Sequence, residues 1–189
     1  MKKVWVFYLL IFSVFFLLGQ SVTAEDIRFN DSIYKLKVSQ KLDDKNIVEN
    51  EYYHAQESKS FWTTMFGVYH YLDVSNPLKY ASDIDKKIEA NEKCVLLKFI
   101  QNKKQDVAVI SYLENGAQND NTFFIYNVYK YAKHPDKGIL VLRFSKKYVF
   151  NSNDEIVAIA KEVQKINDEY LEKMILTPFP PIVESNSLK

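Results

Sequence analysis

A single cysteine, Cys94, is all that the 189-residue chain carries, so no disulfide can form within it and its stability has to come from packing. Glycine is nearly as scarce: beyond residue 24 only Gly67, Gly116 and Gly138 remain, far apart. Neither a dinucleotide fingerprint nor a phosphate-cradling loop can be written with them, which excludes those classes of nucleotide chemistry. An excess of charge of one sign is missing too. Lysine and arginine number 25 against 24 acids, interspersed, with "QNKKQ" the nearest thing to a run. Nothing in that balance recruits nucleic acid or an anionic membrane.

Catalytic and metal signatures are absent as well. His54, His70 and His134 fall on three different predicted elements, with no H-E-x-x-H and no paired cysteines, so no metal site and no cofactor are expected. Neither G-x-S-x-G nor S-x-x-K occurs. Cys94 follows "EANEK" at the start of a strand, away from any helix N-terminus that would lower its pKa. The pairs Asp83/Asp85 and Asp154/Glu155 sit in helix first turns, where acids favour the dipole. No catalytic residue is therefore assigned, and a hydrolase built on Cys94 with His54 or His70 is the last of the alternatives.

The N-terminus is where apolar residues concentrate. "MKK" is followed by "VWVFYLLIFSVFFLLG", an uncharged run of 16 residues, and by "QSVTA", which places the small residues Val22 and Ala24 before a cleavage point. This is the layout of a bacterial signal peptide over residues 1–24, cut after Ala24. The run is shorter than the roughly 20 residues a spanning helix needs. No cysteine lies near the cut to take a lipid anchor. A periplasmic or secreted protein of 165 residues is the expectation, without a stable membrane anchor and of one domain's size.

The rest of the chain reads as strands, then a helix, then strands, then a helix. "IRFNDSIYKLKVS" is one strand, or a small hairpin turning at Asn30-Asp31; "NIVENEYYHA" and "FWTTMFGVYHYL" follow. In the last of these Trp62, Thr64, Phe66, Val68, His70 and Leu72 fall on one face and the intervening residues on the other. "SNPLKYASDIDKKIEAN" places Asn76 as N-cap and Pro77 at the first helical position, with Leu78, Ala81, Ile84 and Ile88 on one stripe. Four strands come next, "CVLLKFIQ", "DVAVISYL", "TFFIYNVYKYA" and "GILVLRFSKKYVF", linked by "NKK", "ENGAQNDN" and "KHPDK" as an antiparallel meander. "NSNDEIVAIAKEVQKINDEYLEKMI" closes the domain as a long helix with Ile156, Ile159, Val163, Ile166, Tyr170 and Met174 on its packing face. The fold class is α+β: an antiparallel sheet of six to seven strands packed by two main helices, over residues 25–176. An extended tail, residues 177–189, follows. Several strands are apolar on both faces, so both faces are expected to be covered. The order of elements is similar to the PsbP/Mog1-like sandwich, a likeness that carries no function with it.

"ENEYYHAQESKSFWTTMFGVYHYL", residues 49–72, is the densest aromatic stretch beyond the leader. Its rings divide between two strand faces, as a sheet buried on both sides requires. Tyr52, Tyr53, His54, Trp62, Tyr69 and Tyr71 are the candidates for an aromatic surface that stacks on a ligand or anchors a partner. Within it "EYYHAQESKSFWT" resembles an E-Y-x-P-x-G-E/Q-x-x-x-x-W-T pattern of small uncharacterised secreted proteins of Gram-negative bacteria. Glu51, Tyr52, Glu57, Trp62 and Thr63 match, while His54 and Gln56 stand in place of Pro and Gly. The resemblance implies export and no activity. The functional expectation is a non-enzymatic envelope accessory factor whose partner is another envelope or secreted protein. The alternative is a small-ligand binder with an aromatic-lined cavity. The tail "TPFPPIVE" has polyproline stiffness and either docks on a partner or lies on its own sheet.

Overall fold

The computed structural model describes residues 26–118 and 121–183; the expected signal peptide and the end of the tail lie outside the described residues. Eight strands form one antiparallel sheet: β1 Ile27–Phe29, β2 Ser32–Leu42, β3 Ile47–Tyr53, β4 Thr64–Tyr71, β5 Cys94–Asn102, β6 Val107–Gln118, β7 Asn121–Lys133 and β8 Ile139–Phe150. Helix α1, Pro77–Glu89, follows β4, and helix α2, Asn153–Leu176, follows β8. The order across the sheet is β1-β2-β3-β4-β8-β7-β6-β5, two meanders joined where β4 pairs with β8.

The count of six to seven strands is corrected to eight, and the reason is local. Asn30 and Asp31 both take left-handed φ, 48° and 60°, so what reads as one strand folds back on itself as a tight hairpin. Asn and Asp tolerate that region better than other side chains do. A second difference lies in "ENGAQNDN". Its polar and glycine content predicts a loop, yet Glu114 to Gln118 stay in the ladder and pair with Asn121 to Ile125. Phe123 covers Gly116 there: a Cβ on the glycine would stand 2.6 Å from the ring's Cζ. The aromatic ring supplies the contact that the missing side chain does not.

Both helices begin where local chemistry directs them. The Asn76 side chain accepts from the Lys79 N–H at 2.9 Å and Pro77 occupies the first turn, while Asp83 and Asp85, expected in a first turn, lie at and beyond the middle of this helix. Ser152 accepts from the Glu155 N–H, and the Glu155 carboxylate accepts from the Asn151 N–H at 2.6 Å. Helix α2 buries Ile159, Val163, Leu171 and Met174 against one sheet face, together with Ile27 and Phe29 of β1 and Phe66, Val68, Leu142 and Phe144 of the central strands. Helix α1 buries Ala81 and Ile88 on the opposite face against Ala108, Ile110, Tyr131, Ile139 and Val141. Both faces are covered, as the double-sided apolar strands imply. Residues 177–183 run extended over the α2 side, where Val183 is buried. Among the described residues no helix is long and apolar enough to cross a membrane.

Candidate functional site

The sheet face that carries α1 changes character along its strands. Under the helix it is apolar; beyond the helix it turns polar and tyrosine-rich. Register sets the pattern: Glu51 on β3 lies opposite Gly67 on β4, Gly67 opposite Arg143 on β8, and Arg143 opposite Tyr129 on β7. Residues in such a row share a face. Gly67 contributes no side chain, and the ring of Tyr69 folds into the space. A Cβ at Gly67 would stand 2.6 Å from Tyr69 Cε2. Tyr69 is thus the floor between an acidic end and a basic end.

Arg143 is the centre. Its Nε donates to Ser145 Oγ at 2.7 Å and its Nη2 to Asn127 Oδ1 at 3.4 Å, while Ser145 Oγ donates to the same Oδ1 at 2.6 Å. Ser145 and Asn127 are wholly buried, so this small network fixes the guanidinium from below. The guanidinium also lies 5.6 Å from the centroid of the Tyr129 ring, on which Tyr112 stacks at 5.9 Å. Every one of these partners is neutral. Among the described residues no carboxylate lies within 4.0 Å of Arg143. Burial works against its charge, but the oxygens of Tyr129, Tyr69 and Tyr112 hold it above the ordinary arginine range. Arg143, Tyr69, Tyr112 and Tyr129 are all half-buried. The two terminal nitrogens of a guanidinium present parallel N–H groups, the geometry that receives a carboxylate in two hydrogen bonds.

At the other end Glu49 and Glu51 are buried, 9% and 6% exposed. Tyr53 Oη donates to Glu51 Oε2 at 2.8 Å, Lys59 Nζ lies 3.5 Å from the same oxygen, and Gln40 donates to Glu49. Burial pushes the Glu51 carboxyl up, Tyr53 pulls it back, and Glu49 adds to the rise.

The predicted aromatic set is divided by the sheet. Tyr53 and Tyr69 belong to the Arg143 face; Tyr71 lies further along it, 5.3 Å from Tyr80 of α1. Tyr52 points to the opposite face, wholly buried with its hydroxyl unpartnered, and burial lifts that phenol to about 12. His54 packs on Tyr34 at 4.4 Å and its Nε2 lies 2.8 Å from Thr64 Oγ1. Trp62 sits in the β3–β4 loop with Lys147 Nζ 4.3 Å above its ring. The E-x-x-x-x-W-T residues act locally: Glu57 Oε1 accepts from the Thr63 N–H at 2.8 Å and from its hydroxyl at 2.5 Å, closing that loop.

Arg143, Tyr112 and Tyr129 escape the sequence reading, although one signal was available. Arg143 is one of only two arginines beside 23 lysines. In a chain that uses lysine almost everywhere, an arginine inside an apolar strand marks a position that needs the planar fork.

Cys94 begins the edge strand β5, and β6, β7 and β8 separate it from the strand of His70. Burial and Glu114 push its thiol up, away from the reactive thiolate. Two of the histidines do meet. The β4–β8 pairing brings His70 beside the β7–β8 hairpin, where its ring stacks on His134 at 4.1 Å. His134 Nδ1 accepts from the N–H groups of Asp136 and Lys137 at 3.2 and 3.4 Å, and His70 Nε2 lies 2.7 Å from the Lys137 carbonyl. Among the described residues no three metal-ligating side chains gather.

A proton on His134 Nδ1 would break the turn it caps. Burial lowers the His134 pKa, His70 lowers it further, and Asp136 opposes them. With the folded value below the ordinary histidine value of about 6.5, the group's stabilising effect is complete above that pH and is lost as pH falls through the folded value. The melting temperature is therefore expected to drop between pH 7 and pH 5. His134→Asn, which keeps an acceptor and cannot titrate, is expected to lose less over the same interval. Parallel curves for the two proteins would contradict this.

No curated protein and no solved structure matches the chain. A family model does, over residues 22–179, which takes in every strand and helix described above. The chain belongs to that family, an uncharacterised bacterial one.

Proposed function

We propose that this is an exported, non-enzymatic binding protein of the bacterial envelope, and that its Arg143 face receives the anionic group of a small ligand. The observation that carries the reading is a half-buried, permanently charged guanidinium held from below by Ser145 and Asn127, with only neutral partners. Charges withdrawn from water are paired as a rule, so an unpaired one at the surface of a built network favours an incoming carboxylate. Export is supported by the two-lysine start, the 16-residue apolar run and the small residues before Ala24.

The protein-partner reading draws on a different observation. Phe61 and Val149 are 69% and 54% exposed beside Trp62 and Phe123, around a shallow groove of about 260 Å³. Aromatic anchors of that type dominate protein interfaces. Partner binding by strand addition at the β5 edge is disfavoured, because that edge is guarded. β5 bulges between Leu96 and Lys98, and Lys98 Nζ is tied to Asp168 of α2 at 2.6 Å. Capture of an envelope protein that is lost in Phe61→Ala would favour this second reading.

The lead reading is tested by calorimetric titration with benzoate and longer aryl and alkyl monocarboxylates. Removing one partner of a desolvated charge pair costs about 2–5 kcal/mol, so Arg143→Leu is expected to weaken binding by about thirtyfold or more. Arg143→Lys keeps the charge without the fork and is expected to fall between. Absence of binding across the panel, or equal affinity in Arg143→Leu, would end this reading.

A further inference from the structure

We infer that the ligand of this face is a short peptide with both ends free, its carboxylate on Arg143 and its ammonium on Glu51; this rests on the reading of Arg143 given above. Three observations lead there. The first is spacing. Glu51 and Arg143 occupy one row with β4 between them, and two strand steps amount to about 10 Å. An extended tripeptide, at about 3.4 Å per residue, separates its charged ends by a similar length.

The second is charge. Glu49 and Glu51 face Lys59 and Arg143, a set that already balances. A zwitterion leaves that balance intact, whereas a phosphate dianion would bring surplus negative charge beside two buried acids. The third is an occupant already in place. Lys59 reaches in from the β3–β4 loop with its ammonium 3.5 Å from Glu51, while its side chain remains 56% exposed. At that distance the exposed ammonium is beyond the usual length of a charge-assisted hydrogen bond, although the carboxylate it faces is buried. Lys59 therefore marks where a cation sits and gives way to a better one. Burial disfavours the ionised form of Glu51, and an arriving ammonium opposes that effect. Between the ends, Tyr69 forms the floor, and the stacked Tyr129 and Tyr112 offer a platform to the side chain next to the carboxylate.

The test is calorimetric titration of the full chain with alanyl-alanyl-phenylalanine, its N-acetyl form and its C-terminal amide. The free peptide is expected to bind. Acetylation is expected to weaken it about tenfold and amidation about thirtyfold, in line with charge-assisted contacts at each end. Glu51→Gln, which keeps a hydrogen-bonding partner for Tyr53, should weaken the free peptide and leave the acetylated one unchanged. If the acetylated peptide binds as well as the free one while the amide does not, the inference fails and the Arg143 reading stands. That outcome would point to the carboxyl terminus of a larger chain. If no peptide binds but benzoate does so through Arg143, the inference again fails alone. If the amide binds as well as the free peptide, both fall.

Discussion

Phe66→Ala is expected to destabilise the protein by about 3–5 kcal/mol, the usual cost of emptying a buried aromatic site. Phe66 is wholly buried on β4, the strand through which the two meanders are joined. Its ring meets Phe29 at 5.1 Å and Tyr34 at 5.0 Å, both edge-on, and Phe144 at 5.3 Å. Those three partners come from β1, β2 and β8, so the cavity would lie where separate elements converge and could not close by the shift of one of them. Set against a total stability of about 5–15 kcal/mol, the loss is a large fraction. The neighbouring Phe61 provides the control. At 69% exposure it has little burial to lose, and Phe61→Ala should stay within about 0.5 kcal/mol of the parent. Urea unfolding of the two variants checks both statements. A Phe66→Ala loss below about 1 kcal/mol would mean that the aromatic cluster is not the centre of the core.

How much of this was legible in advance follows the range of the interactions concerned. The helix starts were readable because Asn76 with Lys79, and Ser152 with Glu155, are contacts three residues apart. The packing stripe of α2 was nearly right: Ile159, Val163 and Met174 are buried and Ile166 and Tyr170 pack half-buried against the same cluster, as expected, while Leu171 and Asn167 are buried beside them without having been expected there. Asn167 is polar and does not announce itself as a core residue. It is buried because the hydroxyl of Tyr126, on β7, donates to it at 3.0 Å, a partnership 41 residues apart. Strand alternation correctly separated Tyr52 from Tyr53, yet alternation cannot say which face remains open. That depends on where α1 and α2 lie. The Arg143 network is wholly non-local, assembled by β4, β7 and β8, so only the rarity of arginine hinted at it. The His70–His134 stack likewise exists because the sheet order places β8 beside β4, an arrangement that no spacing in the chain displays.

Ending the chain at Thr177 is expected to cost more than any single polar substitution beneath the tail. The extended residues 178–183 are built into the sheet face. Val183 is 2% exposed; its N–H donates to Asn50 Oδ1 at 2.7 Å, and its carbonyl accepts from Asn50 Nδ2 at 2.8 Å and Ser39 Oγ at 2.6 Å. Asn50 is wholly buried; beyond a bond from its Nδ2 to the Glu49 carbonyl at 3.0 Å, the tail supplies its partners. Lys130, also buried, reaches over Phe179 at 5.0 Å and donates to the carbonyls of Ile175 and Thr177 at 2.8 Å, which ties the end of α2 to the start of the tail. Asn50→Ala strips one side of this clamp and leaves the Val183 N–H unpartnered, a loss of about 1–3 kcal/mol. Truncation also uncovers the apolar surface that Phe179, Ile182 and Val183 cover, worth about 1.5–3 kcal/mol for each fully buried side chain and less for the two that are half-buried. A shift of several kcal/mol in urea unfolding is the expected result for the truncated chain, and a visibly smaller one for Asn50→Ala. If the truncated chain unfolds at the same urea concentration as the full one, the tail does not belong to the core. The polyproline-like segment would then be free to engage a partner.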